Sequence, residues 1–222
     1  YEDGTEEIIA SDDTWEVAEG PLVSSSIYDG EVYDANLEID GWNKYSESES
    51  AICWERMQLS DTDTEELQAR LSVPVKIVDA FVPELIITPA GEQVLDFKQN
   101  MTGWITFSAD VPDGTAITYA VGAVLEADNF SRDNLRTAEA TFTHISNGKA
   151  AEVRPYFTFY GFRYAKITGV DLLEQDLGFK GYVLQSELEE TSGMITANPD
   201  VNQLLKNALW GQKGNFLDVP TD

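Results

Sequence analysis

The chain has 222 residues, 42% hydrophobic and 11% aromatic, enough to bury a real core in one large or two small domains. Its 40 acidic residues against 14 basic ones give a formal net charge of -26. Such a surface repels phosphate backbones and anionic lipid, so it excludes a nucleic-acid partner and a membrane surface, while neutral ligands, sugars above all, and divalent cations remain compatible.

The acid is uneven. Residues 1–66 hold 20 acids with only Lys44 and Arg56 against them, and residues 67–222 hold the other 20 with 12 bases. The step suggests two regions with different surfaces, although a solvated acidic face explains it too. Cys53 is the only cysteine and sits in apolar Ala51-Ile52-Cys53-Trp54, which favours a buried thiol over a nucleophile and excludes internal disulfides or a cysteine zinc site. There is no apolar run long enough to span a bilayer and no signal peptide. The chain opens at Tyr1 in mid-strand, without methionine, around a hairpin-like Asp3-Gly4 turn, so it is expected to be part of a longer protein.

Taken in order, Ile8-Ile9-Ala10 and Thr14-Trp15-Glu16-Val17 flank an Asp12-Asp13 turn. Pro21-Leu22-Val23 and Ser26-Ile27-Tyr28 then lead into Glu31-Val32-Tyr33, where apolar and polar residues alternate with the two-residue period of a half-buried strand. Residues 46–50 are polar and loop-like, and the acidic run 60–66 marks a domain boundary. Beyond it, strands are expected at 75–81, 85–88, 93–97, 103–107, 116–123, 139–144, 155–159, 164–167 and 181–184, punctuated by Pro74, Pro83, Pro89-Ala90-Gly91 and Pro112-Asp113-Gly114. Many short strands separated by turn signals predict an all-β fold of antiparallel β-sandwich domains. The period changes at Asn198-Pro199, an N-cap followed by proline at the first helical position. Val201, Leu204, Leu205, Ala208 and Leu209 follow at the spacing of one amphipathic C-terminal helix, the first of something, since nothing earlier offers it a helical partner.

Chemistry is sparse. One histidine and one cysteine would have to serve any nucleophilic system, and His144 lies in the strand pattern Thr141-Phe142-Thr143-His144-Ile145 with no Gly-x-Ser-x-Gly elbow to oppose it. Metal sites rich in nitrogen or sulfur are excluded by residue count. Carboxylates remain. In Ile27-Tyr28-Asp29-Gly30-Glu31-Val32-Tyr33-Asp34, Asp29 and Glu31 share one strand face with aromatics interleaved. Carboxylates bind sugar hydroxyls or Ca²⁺ and aromatic faces stack on a pyranose, so Asp29, Glu31 and Asp34 are candidates for sugar or calcium binding. A solvated acidic edge with tyrosines packed inward is the competing reading. Trp104 and the run Phe157-Thr158-Phe159-Tyr160-Gly161-Phe162-Arg163-Tyr164 read as core aromatics rather than a sugar platform.

Several ordered segments carry a family likeness. Val75-Lys76-Ile77-Val78, Val94-Leu95-Asp96-Phe97-Lys98-Gln99-Asn100-Met101-Thr102-Gly103-Trp104, Arg132-Asp133-Asn134-Leu135-Arg136-Thr137-Ala138 and the run 157–164 resemble the β-sandwich region of bacterial α-L-rhamnosidases of glycoside hydrolase family 78. The family usually has glycine where Lys98 stands, a departure that bears on a local turn. Asn207-Ala208-Leu209-Trp210-Gly211-Gln212-Lys213-Gly214-Asn215-Phe216-Leu217-Asp218-Val219-Pro220-Thr221-Asp222 looks like the entry to that family's (α/α)₆ catalytic barrel. Thr14-Trp15 and the stretch 26–35 are similar to the end of its N-terminal jelly-roll domain, which in some members binds rhamnose with calcium.

The resemblance implies residues 1–58 as the end of a jelly-roll domain, 67–190 as the β-sandwich domain and 191–222 as the start of the helical domain. It matches Asp222 to an aspartate that contacts the rhamnose hydroxyls. It places the general acid and base beyond residue 222, so the chain by itself is expected to be inactive. The parent would hydrolyse terminal α-L-rhamnose with inversion, requiring no cofactor for catalysis, with Ca²⁺ a candidate only in the jelly roll. A rhamnose-containing carbohydrate is the implied partner, with the oligomeric state open. Analogy favours an extracellular or periplasmic location over a cytoplasmic one. The alternative is a stand-alone carbohydrate-binding or adhesion module.

Overall fold

A computed structural model describes residues 1–44, 54–60 and 67–220. The loop at 46–50, Cys53, most of the acidic run and Asp222 lie outside the described residues. Among the described residues sixteen strands and one α-helix follow in chain order: β1 (Glu16–Val17), β2 (Leu22–Ser26), β3 (Gly30–Asp34), β4 (Glu55–Arg56), β5 (Val75–Phe81), β6 (Glu84–Ile87), β7 (Gln93–Ala109), β8 (Ala116–Gly122), β9 (Val124–Glu126), β10 (Asn129–Ser131), β11 (Thr141–Ile145), β12 (Ala151–Val153), β13 (Tyr160–Thr168), β14 (Lys180–Ser186), and, after α1 (Pro199–Asn215), β15 (Phe216–Leu217) and β16 (Val219–Pro220). The all-β architecture with one C-terminal helix matches the expectation.

The chain forms two compact units, Tyr1–Pro21 with Leu37–Arg70, and Leu22–Asn36 with Leu71–Asp222. In the first, β1 pairs with β4 and the Met57 N–H donates to the Trp15 carbonyl at 3.1 Å. Ile8 and Ile9, where a strand was expected, form none and are exposed.

The second unit is a ten-stranded sheet in the order β2-β3-β11-β8-β13-β7-β14-β5, with β6 and β12 also on β7. All its pairs are antiparallel except β3 with β11, which run parallel. Expected strands 93–97 and 103–107 are one strand, β7. Its first part pairs with β6 and with the second half of β13; past a bulge it pairs with the first half of β13, then β14 and β12. One long bent strand with different neighbours at its two ends lets the sheet curl upon itself.

The two-residue period explains the core. Ile105, Phe107 and Ala109 of β7 and Ile117, Tyr119 and Val121 of β8 are buried at alternate positions, facing Phe142 and Phe162. Phe97 meets Phe162 edge-on at 5.3 Å, and Tyr119 stacks on Phe142 at 5.2 Å. Each such side chain contributes about 1.5–3 kcal/mol by leaving water. His144 is part of this packing, buried, stacked on Tyr33 at 5.8 Å and edge-on to Phe107 at 6.2 Å, as a strand histidine should be.

Helix α1 begins where its signals place it: the Asn198 side chain accepts the Asp200 N–H at 2.9 Å, with Pro199 following. Trp210 packs against Phe81 at 6.0 Å. The rest of the apolar stripe is not buried among the described residues, and Leu204 is 66% exposed.

Candidate functional site

The candidate carboxylates meet three different fates, and the reason begins at Gly30. Its φ is +105°, and a Cβ there would lie 1.8 Å from the Thr141 carbonyl oxygen, so only glycine lets β3 close on β11. That closure carries Glu31 inside, where it is 2% exposed. Its Oε1 accepts the Tyr156 N–H at 2.8 Å, and Oε2 accepts the Phe157 N–H at 2.9 Å and the Ser25 hydroxyl at 3.3 Å. A buried carboxylate needs donors on both oxygens, and two successive backbone amides supply them.

Asp29 instead accepts the Ser26 hydroxyl and the Glu139 N–H, each at 3.5 Å. Asp34 closes a local turn, accepting the Asn36 N–H at 2.9 Å and its side-chain amide at 3.1 Å. Among the described residues no three or more His, Cys, Asp or Glu side chains are grouped to hold a metal, so Asp29, Glu31 and Asp34 are not brought together.

What Glu31 does organise is the segment expected as a strand at 155–159. It is a loop whose amides are turned to Glu31, which leaves Tyr156 53% and Phe157 74% exposed. Phe157 is therefore not a core residue, whereas Phe162 is fully buried. Tyr156 stacks on Tyr33 at 5.7 Å, and the Arg154 guanidinium lies over both Trp104 (5.4 Å) and Tyr156 (5.2 Å). Trp104 accordingly stands half-buried under that guanidinium, away from the core face of β7. The missed signal was Pro155, which cannot donate to a ladder and argues against a central strand. Burial, and then the nearby Glu31 charge, push the Tyr160 phenol well up.

A second ionic group braces the β7 bulge. Asp96, 5% exposed, accepts Arg163 Nε on Oδ1 at 2.9 Å and Nη2 on Oδ2 at 3.1 Å, with the Lys98 N–H at 2.7 Å and its ammonium at 3.1 Å. Burial alone would raise the carboxyl, but Arg163 and Lys98 outweigh it and hold it at about 2. Glu92 is also held low: burial is outweighed by the Phe130 N–H, Lys166 and Thr88. A glycosidase general acid needs the opposite direction, so neither carboxylate is suited to that role.

These features agree with what the chain is similar to. Three family models match it in succession: the alpha-L-rhamnosidase N-terminal domain over residues 1–79, the bacterial alpha-L-rhamnosidase concanavalin-like domain over 86–185, and the bacterial alpha-L-rhamnosidase 6 hairpin glycosidase domain over 189–222. The chain belongs to the bacterial α-L-rhamnosidase family. Across the full chain it is 36% identical to an α-L-rhamnosidase of Streptomyces avermitilis, covering 22% of that protein. The structure of a Streptomyces avermitilis α-L-rhamnosidase complexed with L-rhamnose matches with a TM-score of 0.88 at 34% identity, over 100% of this chain and 22% of that one. A native α-L-rhamnosidase from Aspergillus terreus matches with a TM-score of 0.88 at 32% identity, over 99% and 26%. The chain thus spans about a quarter or less of the length of these rhamnosidases.

Proposed function

We infer that this chain is the non-catalytic β-framework of an α-L-rhamnosidase, and that the whole protein hydrolyses terminal α-L-rhamnose from glycosides or polysaccharides with inversion. The observation that carries the reading is the unbroken order of three rhamnosidase models along one chain, ending in the helical glycosidase domain. The helix α1, started by Asn198 and seated on Phe81 through Trp210, is where that helical domain joins the sheet. Asp222 is assigned to the rhamnose hydroxyls, and Asp29 and Asp34 remain the candidates for a calcium or sugar contact at the edge of the N-terminal region. Glu31 is removed from that list by its own bonding, since both its oxygens are engaged inside the fold.

The test is to read the gene past Asp222 and to assay p-nitrophenyl α-L-rhamnoside. A Cys-Pro-x-Arg-x-Glu continuation is expected, with nitrophenol released by the protein carrying it and none by residues 1–222 alone. A stop codon after Asp222 would leave a stand-alone sugar-binding module instead.

A further inference from the structure

Strand β14 ends at Ser186, which is buried and whose hydroxyl accepts the Asp218 N–H at 2.8 Å. Asp218 is the tip of a tight reversal in which Phe216 pairs with Pro220 and Leu217 with Val219. Its φ is +70°, a left-handed value that aspartate tolerates better than most residues. The Ser72 hydroxyl donates to Asp218 Oδ1, and Leu217, one residue before the tip, is buried.

The reversal is therefore fastened to the sheet as well as to the helix it follows. Helix α1 ends on its own bond, the Phe216 N–H donating to the Gln212 carbonyl. Two residues on, the Asp218 N–H goes to β14 instead. Ser186 is paired there with Val75 of β5, and the Glu187 N–H donates to the Pro74 carbonyl at 2.9 Å, so ladder bonds join both segments that hold the turn. Asp218 reaches one through its N–H and the other through its carboxylate. A buried hydroxyl keeps the partner it has, because no water replaces it. Glycine at 218 would suit the backbone and give Ser72 no carboxylate; aspartate does both.

We propose that Ser186 and Asp218 are positioning residues, a latch by which the β-sandwich aims the chain entering the helical glycosidase domain and so sets where Asp222 meets rhamnose. Asp222 stands four residues after Asp218 and two after Pro220. Two residues of chain reach at most about 7 Å, so a shift of the turn is passed on along the chain. A misplacement of about 1 Å at a contacting group can cost about a hundredfold in rate. The latch gives the sandwich a part in the reaction, although neither Ser186 nor Asp218 touches the sugar. It rests on the rhamnosidase reading and on the assignment of Asp222.

The experiment is steady-state kinetics of the whole protein on p-nitrophenyl α-L-rhamnoside, with L-rhamnose as competing inhibitor and a thermal midpoint for each variant. Ser186→Ala, which removes only the hydroxyl, and Asp218→Ala should each raise KM and the L-rhamnose inhibition constant together by at least about fivefold. Asp218→Asn keeps the left-handed preference and an oxygen for Ser72, and should stay within about twofold of the parent. If Ser186→Ala yields no folded protein, Ser72→Ala reads the same latch from its more exposed side, with the same direction expected. A merely structural role would lower the midpoint and the amount of active protein while leaving KM and the inhibition constant unmoved, and that result overturns the proposal. So does Asp218→Asn as impaired as Asp218→Ala, which would mean that the charge itself acts on the sugar. A parent that releases no nitrophenol sinks the rhamnosidase reading and the latch with it, whereas an active parent with unmoved variants sinks the latch alone.

Discussion

The Phe157 N–H donates to Glu31 Oε2 at 2.9 Å across 126 residues of sequence, and the neighbouring Tyr156 N–H takes the other oxygen. One buried carboxylate therefore holds both the start of β3 and the loop that displays two exposed aromatics. Removing it leaves two inward amides without an acceptor. Glu31→Ala is expected to destabilise the protein by about 2–4 kcal/mol, and Glu31→Gln, which faces one amide with a donor, by about 1–2 kcal/mol. Urea unfolding measures both, and an alanine variant within about 0.5 kcal/mol of the parent would remove the bracing role.

Asp96 sets a specific pH dependence. Its folded carboxyl lies at about 2 against an ordinary 3.8, so its ionised form is favoured by folding. That stability is fully present above about pH 4 and is lost as pH falls through 2, in all about 2 kcal/mol. Asp96→Asn should be less stable at pH 7 and should show a correspondingly shallower loss between pH 4 and pH 2. Parallel acid-dependent slopes for the two proteins would contradict this.

Lys98 stands where the family resemblance implied glycine, and it occupies a φ of +63° in the bulge of β7. The turn is kept, with lysine accepting the left-handed backbone and pairing its ammonium with Glu84 at 2.9 Å and Asp96 at 3.1 Å. Lys98→Gly relieves the backbone and loses exposed ion pairs, which carry little weight in water. Its thermal midpoint is expected to rise or hold, whereas Lys98→Val, branched at Cβ, should lower it. The reverse order in a thermal scan would mean that the ion pairs dominate.

Two glycines on facing strands separate steric from adaptable contacts. A Cβ at Gly103 would lie 1.8 Å from the Tyr182 carbonyl oxygen, and backbone cannot move aside without breaking the β7–β14 ladder. At Gly181 the nearest atom is the Met101 methyl at 2.5 Å, the end of a flexible side chain, with Phe97 at 2.8 Å. Gly181→Ala should cost about 1–3 kcal/mol and Gly103→Ala more than that, to the point of poor recovery of folded protein. Equal unfolding midpoints would show that the strands can separate locally.

Much of the framework was legible because it is written in local periods. The alternation through residues 116–123 became β8, the run 75–81 became β5, and Asn198-Pro199 began α1, since strand faces and helix caps depend on neighbours two to four residues away. The stretch 155–159 was misread because aromatic content resembles strand propensity, while its loop conformation is decided by a carboxylate 125 and 126 residues distant. The merging of 93–97 and 103–107 into one strand likewise depended on Arg163 reaching Asp96 across the bulge.

By itself, then, the sequence determined the acidic surface, the all-β class and the C-terminal helix, all properties of composition and local pattern, while the family came from the likeness of its ordered segments to known rhamnosidases. Tertiary structure decided which of three similar carboxylates leaves the surface. Asp29, Glu31 and Asp34 look alike in one short stretch, but only Glu31 is drawn inside, because glycine at position 30 lets β3 lie parallel to β11 against a loop that offers two amides. A side chain's chemistry is local, and its solvent exposure is a property of everything folded against it.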